Sequence, residues 1–205
     1  MLQKNLVFMI KPFDFYFDFA SPYTFIAHKE IRKIEKENSI KMKYMPILLG
    51  GLLKSAGIKA NVDIPIKAKY MIKDCKLWAE KYNIIFKFNN YFPIKTLDLM
   101  RCVLVAEKKN FAQNFINKVF DAIWKDGLNL NDNIIVEKLL KNLDINPKTF
   151  LMEAVDPKIK DELKKRTDDA FKKGIFGSPT FIVNNKIFWG QDRLEFVINE
   201  AKKQI

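Results

Sequence analysis

Two short stretches of this 205-residue sequence carry side chains that could take part in chemistry. Ser21 lies in FASPYTF near one end of the chain, and Pro179 lies in FGSPTFIV near the other. A serine cap followed by proline, here Pro22, is a typical helix start. If both stretches adopt the structures that their patterns favour, a hydroxyl at a helix N-terminus faces a proline turn. Such a pair can hold a small thiol as its thiolate, which favours an enzyme over a scaffold.

Other kinds of catalysis have few side chains available. His28 is the only histidine, so a histidine-rich metal site or a Ser-His-Asp triad would have to be built around it. It falls in the first predicted helix, where we expect a partly exposed side chain without a catalytic role. Cys75 and Cys102 belong to no C-x-x-C or metal-ligand cluster. Both fall in helical patterns, so we expect buried thiols and no metal site.

Composition and charge restrict the class of protein. The hydrophobic share of 48% fits a globular chain with a substantial core, and no apolar run approaches the roughly 18 residues of a membrane span. The net charge is +12, but the lysines stand beside acids, as in PKIKDELKKRTDD, so we predict a solvated surface and no nucleic-acid partner. The first twelve residues, MLQKNLVFMIKP, lack the features of a secretory signal. We therefore expect a cytoplasmic protein without a membrane partner.

The first part of the chain predicts a strand, a helix and a second strand. Residues 13–19 read FDFYFDF, an aromatic-rich alternation of apolar and acidic residues that is typical of a strand. Residues from Pro22 to about Asn38 have helical spacing, and Lys41 to Pro46 form a second strand. Together these elements make a βαβ unit.

The rest of the chain divides into a helical block and a hairpin. The pattern is helical almost throughout from Leu48 to about Lys173, with breaks near Gly57, Pro65, Pro93, Gly127 and Pro147. Residues 180–183 and 186–189 then read as a β-hairpin around two asparagines, followed by a helix from about Asp192 to Lys203.

This order of elements predicts an α/β protein with the thioredoxin topology, βαβ…ββα, interrupted by a large all-helical insertion. We expect the thioredoxin-like part to comprise residues 13–47 and 174–205, and the insertion to comprise residues 48–173.

Six segments carry a family resemblance: DFYFDFASPYTF, PILLGGLLKSAG, RCVLVAE, FDAIWKDG, GIFGSPTFIVNN and FWGQDRL. With them the chain resembles the 2-hydroxychromene-2-carboxylate isomerases. That family belongs to the DsbA-like thioredoxin superfamily and is similar to kappa-class glutathione transferases. The resemblance covers nearly the whole chain from about Phe13 onward.

The resemblance assigns roles to the two stretches described first. Redox members of the superfamily begin the first helix with C-x-x-C, but here that slot reads SPYT from Ser21, which excludes disulfide chemistry. The resemblance implies that Ser21 instead donates a hydrogen bond to the thiolate of glutathione, the implied cofactor. It also implies a cis Ser178–Pro179 bond, so that the N–H and C=O of Ser178 can pair with the glutathione backbone.

The resemblance places four further residues around glutathione. They are Trp189, Gly190, Gln191 and Asp192. The Asp192 carboxylate would pair with the ammonium of the γ-glutamyl end, although an aspartate at this place could also act as a helix N-cap. We expect Trp189 to form a wall of the site.

On the substrate side, the resemblance points to Lys54 in GLLKSAG as a partner for a carboxylate and to Asn61 as a further contact. Phe92 stands where a tyrosine would be expected, and Val62 stands where some relatives have an arginine. These two departures leave the choice of substrate open.

The sequence thus predicts a glutathione-dependent isomerase acting on 2-hydroxychromene-2-carboxylate or a similar aromatic 2-oxo acid. The implied reaction is reversible thiolate addition, bond rotation and elimination. Two alternatives stay open: a kappa-class-like glutathione transferase, and a non-catalytic DsbA-like peptide-binding domain. Relatives are commonly dimers, so the resemblance also implies a homodimer.

Overall fold

The computed structural model describes residues 12–37 and 40–203. The segment MLQKNLVFMIKP, for which we predict no secretory signal, lies outside the described residues except for Pro12. The predicted helix end at Asn38 also lies outside them. The strands are β1 (Phe13–Phe17), β2 (Met42–Pro46), β3 (Thr180–Val183) and β4 (Lys186–Trp189). The helices are α1 (Pro22–Glu37), α2 (Leu49–Ser55), α3 (Pro65–Lys81), α4 (Leu97–Lys108), α5 (Ala112–Trp124), α6 (Asn133–Lys141), α7 (Pro147–Ala154), α8 (Pro157–Lys172) and α9 (Leu194–Lys202), with 3₁₀ turns at Asn61–Asp63 and Gln191–Arg193.

The four strands form one mixed sheet in the order β2-β1-β3-β4. Phe15 of β1 lies opposite Tyr44 of the parallel strand β2 and opposite Phe181 of the antiparallel strand β3. The first and last parts of the chain therefore meet in one sheet, and the predicted βαβ…ββα topology is confirmed. The division into domains at residues 48 and 173 stays a prediction. No helix in the described ranges is long and apolar enough to cross a membrane.

β1 lies at the centre of the fold and is buried on both faces. The Phe15 ring stacks on Phe181 with centroids 5.1 Å apart, and Phe17 packs against Phe120 of α5. On the opposite face, Tyr16 packs with Ala170 and other apolar side chains near the end of α8. Each fully buried aromatic side chain contributes about 1.5–3 kcal/mol to folding. This burial fixes the end of β1, from which the chain turns into α1.

The hairpin of β3 and β4 forms where the sequence predicts it. Asn184 and Asn185 have φ values of 49° and 62°, as a two-residue type I′ turn requires. The last helix starts later than expected, because residues 191–193 form a 3₁₀ turn and α9 begins at Leu194.

The break predicted near Pro93 is a long connection. Residues 82–96, between α3 and α4, contain no helix. Buried Asn89 holds this connection in place, because its side-chain amide donates to the carbonyls of Ile123 and Leu128, each at 2.9 Å. The predicted break is confirmed, but it is longer than a single proline position indicates, since contacts to distant residues replace those of a helix.

His28 is fully buried, so the expectation of a partly exposed side chain is wrong. Its Nδ1 lies 2.8 Å from the Tyr44 hydroxyl, and its ring stacks on Phe120. Burial, more than the nearby Lys29 charge, lowers the pKa of His28 to about 3, so the ring is neutral at physiological pH. Cys75 and Cys102 are buried free thiols, as predicted.

Candidate active site

Ser21 lies where β1 leads into α1. Its side-chain oxygen accepts a hydrogen bond from the Thr24 N–H at 3.2 Å, which is the geometry of an N-cap. Its hydroxyl donates to the carbonyl of Ser178 at 3.0 Å. The 16-residue helix α1 directs the positive end of its dipole toward this hydroxyl. An anion placed beside Ser21 would be stabilised by the helix, and also by the hydroxyl if its proton turned from the Ser178 carbonyl to the anion.

Ser178 faces Ser21 from the start of β3. The Ser178–Pro179 bond is cis, as the sequence predicts. The Ser178 hydroxyl donates to the Tyr16 carbonyl at 3.3 Å and lies 2.9 Å from the Thr24 hydroxyl. Within the described part of the chain, no atom accepts a hydrogen bond from the Ser178 amide N–H. An extended peptide laid along this residue could use that N–H.

The end of β4 lies beside Pro179. Trp189 is opposite Thr180 in the hairpin register, and the Gly190 N–H donates to the Pro179 carbonyl at 2.9 Å. The Trp189 side chain is about half exposed and packs against Phe176, with ring centroids 4.9 Å apart. An aromatic surface therefore lies directly next to the cis-proline turn.

Two glycines make these close contacts possible. A Cβ at Gly177 would lie 2.5 Å from Nε1 of Trp189, so the indole can approach only a glycine here. Gly190 has a φ of 114° and a ψ of 149°, a conformation that favours glycine. A Cβ at Gly190 would also collide with the Asp192 carboxylate. The positions of Trp189 and Asp192 thus depend on glycine at 177 and 190.

Gln191 and Asp192 lie in the 3₁₀ turn, which packs against α1. Gln191 is buried, whereas the Asp192 side chain is 34% exposed and forms an ion pair with Arg193 at 2.8 Å. Asp192 makes no side-chain cap to the turn or to α9, so its possible N-cap role is wrong. Its carboxylate is accessible to a cation from solvent.

Asp18 joins three elements around Ser21, and sequence reasoning did not identify it. This carboxylate is 1% exposed at the end of β1. One oxygen accepts from the Ala20 N–H at 2.9 Å and the Thr96 hydroxyl at 2.7 Å, and the other accepts from the Leu49 N–H at 2.7 Å. Burial raises the pKa of Asp18, while the three donors favour its ionised form. The starts of α1, α2 and α4 are thereby held at one carboxylate.

The predicted substrate-side residues lie in α2 and in the 3₁₀ turn that follows it. Lys54 is exposed on the last turn of α2, and Asn61 is exposed in the 3₁₀ turn that also contains half-buried Val62. In the ranges that the structure covers, no hydrogen bond or ion pair joins Lys54, Asn61 or Val62 to Ser21. Among the described residues, direct hydrogen bonds thus join Ser21 to Ser178, whereas the roles of Lys54, Asn61 and Val62 stay predictions.

Phe92 lies in the connection between α3 and α4, before a second cis-proline bond that the sequence did not indicate. Its ring packs 5.6 Å from that of Trp124. The Trp124 indole N–H donates to the Phe19 carbonyl at 2.8 Å, two residues before Ser21. Trp124 thus links Phe92 to the segment just before Ser21.

The arrangement suits the stabilisation of a bound anion rather than redox or metal chemistry of the protein's own side chains. In the described ranges no three His, Cys, Asp or Glu residues lie close enough to hold a metal ion. Burial raises the pKa of both thiols, Cys75 and Cys102, the latter to about 12, so neither supplies a thiolate near neutral pH.

Comparison with known proteins agrees with this geometry. The curated 2-hydroxychromene-2-carboxylate isomerase of Sphingobium xenophagum is 28% identical over 191 residues, which span 92% of this chain and 97% of the relative. Glutathione S-transferase kappa 1 of Caenorhabditis elegans is 23% identical over 198 residues, covering 90% and 88% of the two chains. A solved structure of a 2-hydroxychromene-2-carboxylate isomerase superposes with a TM-score of 0.85 at 23% identity over 95% of each chain.

The structural match shows the same fold, and the curated relatives include enzymes of the isomerase class. The sequence model of the DSBA-like thioredoxin domain matches residues 13–201, nearly all of the described fold. The chain belongs to the family of proteins with a DSBA-like thioredoxin domain.

Proposed function

We propose that this protein is a glutathione-dependent isomerase of 2-hydroxychromene-2-carboxylate or a similar aromatic 2-oxo acid. The observation that carries the proposal is the pairing of Ser21 with Ser178. A hydroxyl at the N-terminus of α1 lies 3.0 Å from the carbonyl oxygen of a residue before a cis-proline, and the N–H of that residue has no acceptor among the residues that the structure describes. This combination offers a donor for a sulfur and a main-chain pairing site for the peptide that carries it.

The residues present fit glutathione. Ser21 would hold the sulfur as thiolate, Ser178 would pair with the cysteinyl backbone, and Asp192 would receive the γ-glutamyl ammonium. A hydrogen bond to a charged group contributes about 1.5–3 kcal/mol, and the helix terminus about 0.3–1 kcal/mol. Lowering a thiol pKa by about two units requires roughly 2.7 kcal/mol. One hydroxyl and one helix end are therefore sufficient.

Bound glutathione would supply a nucleophile that adds reversibly to a conjugated carbon, so that a double bond can rotate before elimination. The chain's own part is to keep the thiol deprotonated at Ser21 and to orient the substrate. Lys54 and Asn61 are the side chains that we propose for the substrate carboxylate, with Val62 and Phe92 shaping the same side. The exposed Lys54 ammonium gives such an anion a partner without the cost of a buried charge.

A transferase of the kappa class is the second candidate, and the similarity to glutathione S-transferase kappa 1 favours it. Both enzymes would use the same thiolate. An isomerase returns glutathione after each turnover, whereas a transferase consumes one molecule for each product molecule. The ratio of glutathione lost to product formed separates them: a ratio near zero supports the isomerase, and a ratio near one overturns it.

The first test is binding itself. Calorimetry with millimolar glutathione should show heat, and the ligand should raise the midpoint of thermal unfolding, because a ligand that binds only the folded state stabilises it. Binding without turnover of any aromatic 2-oxo acid or electrophile would favour a non-catalytic peptide-binding domain. Neither heat nor protection would overturn the glutathione proposal.

We further propose a cytoplasmic homodimer. Reduced glutathione and unpaired cysteines are both typical of the cytosol, and the described residues contain two free thiols. Ile66, Tyr70 and Leu77 lie along one side of α3 and are 80%, 66% and 63% exposed. This spacing suits packing against the same helix of a second copy. Light scattering of Leu77→Lys beside the unchanged protein tests it: a dimer should lose mass on substitution.

A further inference from the structure

We propose that Thr24 is a positioning residue of the thiol site, and that its hydroxyl holds Ser178 in register with Ser21. The inference rests on the proposed function and concerns the fourth residue of the slot in which redox relatives carry C-x-x-C. That fourth position, a reactive cysteine in those relatives, would here serve to fix the main chain on which glutathione pairs.

The hydrogen bonds around Ser178 define the role of Thr24. The Ser178 hydroxyl lies 3.3 Å from the Tyr16 carbonyl, to which it can donate. The Thr24 and Ser178 hydroxyls lie 2.9 Å apart, and either can be the donor; the bond from Ser178 to Tyr16 favours Thr24. The Thr24 N–H also donates to the Ser21 oxygen at 3.2 Å. One residue thereby contacts both members of the pair that we assign to glutathione.

Burial makes these bonds effective. Thr24 is fully buried and Ser178 is 8% exposed, so water does not readily replace a lost partner. Without the Thr24 hydroxyl, the Ser178 side chain keeps only its bond to Tyr16. The Ser178 carbonyl, which accepts from Ser21, and the amide N–H of the same residue would then be less firmly oriented. We expect this loss to appear in glutathione binding and in the pKa of the bound thiol.

Thr24→Val tests the proposal, because valine keeps the shape of threonine and the N–H of residue 24. A neutral hydrogen bond contributes about 1 kcal/mol, so glutathione affinity should fall about fivefold. The thiolate absorbance of the complex should also titrate at higher pH. Thr24→Ser should restore both values. Thr167→Val is the matched control, since it removes another buried threonine hydroxyl, which bonds to Leu163 and to the Leu48 N–H but not to Ser21 or Ser178, so it should lower stability and leave glutathione affinity unchanged.

A double-mutant cycle identifies the route of the effect. If Thr24 acts through Ser178, then Ser178→Ala combined with Thr24→Val should weaken binding little more than either change alone. Additive effects, or a Thr24→Val protein with unchanged affinity and thiol pKa, would overturn the proposal while leaving the glutathione function in place. Absence of glutathione binding by the unchanged protein would overturn both.

Discussion

Replacing Ser21 by alanine removes a hydroxyl that serves two purposes, and their magnitudes can be separated. In the folded protein the hydroxyl accepts from the Thr24 N–H as the N-cap of α1 and donates to the Ser178 carbonyl, and losing both bonds should cost about 1–3 kcal/mol of folding stability. As a donor to a bound thiolate, it is worth about 1.5–3 kcal/mol, which corresponds to about 1–2 units of thiol pKa. The helix dipole remains in the variant and retains a smaller part of the effect.

The fraction of thiolate follows from these numbers. A bound thiol with its pKa lowered by about two units from ~8.5 is mostly ionised at neutral pH. In Ser21→Ala the pKa should return to about 8, so that roughly a tenth of the bound thiol is ionised. The ultraviolet absorbance of the thiolate, titrated in the glutathione complex against pH, measures this directly. Denaturant unfolding of the same samples measures the loss of the cap.

Two variants make the experiment specific. Ser21→Thr keeps a hydroxyl at the cap and should keep most of the pKa shift. Ser55→Ala, at the exposed end of α2, removes a serine hydroxyl remote from the thiol site and should change neither quantity. An unchanged thiol titration in Ser21→Ala, with the expected loss of stability, would limit Ser21 to capping and refute its role toward sulfur.

Three further outcomes are expected. Asp18→Asn leaves at least one of the three buried donors facing an amide N–H. The free energy of unfolding, measured in urea, should therefore fall by about 1–3 kcal/mol. Equal stability would contradict the contacts described for Asp18. Gly190→Ala should lower the free energy of unfolding by about 1–3 kcal/mol and weaken glutathione binding, because the new Cβ displaces Asp192. An unchanged affinity in calorimetry would argue against a role for the Asp192 carboxylate. Because the folded-state pKa of His28 is about 3 and its ordinary value is 6.5, the unfolded chain takes up a proton first as pH falls. The free energy of unfolding should therefore decrease by about 2–3 kcal/mol between neutral pH and about pH 4.5. The His28→Gln variant should lack this decrease, and identical pH profiles for the variant and the unchanged protein would contradict the prediction.

Features set by neighbouring residues were predictable from the sequence. The strand Phe13–Phe17, the helix start at Pro22 and the hairpin turn at Asn184 and Asn185 depend on alternation, capping and permissive backbone conformations. These signals lie within a few positions of one another. The cis bond before Pro179 was predicted as well, but through family resemblance rather than from local chemistry.

Features that depend on distant contacts were not predictable in the same way. Asp18 reads as one more polar residue of an alternating strand, yet its partners Leu49 and Thr96 lie 31 and 78 positions away. An acid placed just before a predicted helix cap was the one available signal. His28 shows the reverse problem, since a polar residue on a predicted helix is buried by aromatic side chains from β2 and α5.

The sulfur that this site would serve has to come from outside the chain. The sequence holds two cysteines, both buried with raised thiol pKa values, and the slot that carries a cysteine in redox relatives holds Ser21. The features that stabilise a thiolate are nevertheless retained, namely the start of α1 and the cis-proline turn opposite it. Ser21 and Ser178 become neighbours only because β1 pairs with β3, so the site exists only in the folded sheet. A fold that keeps an anion site but holds no reactive thiol of its own is suited to activating the thiol of a ligand.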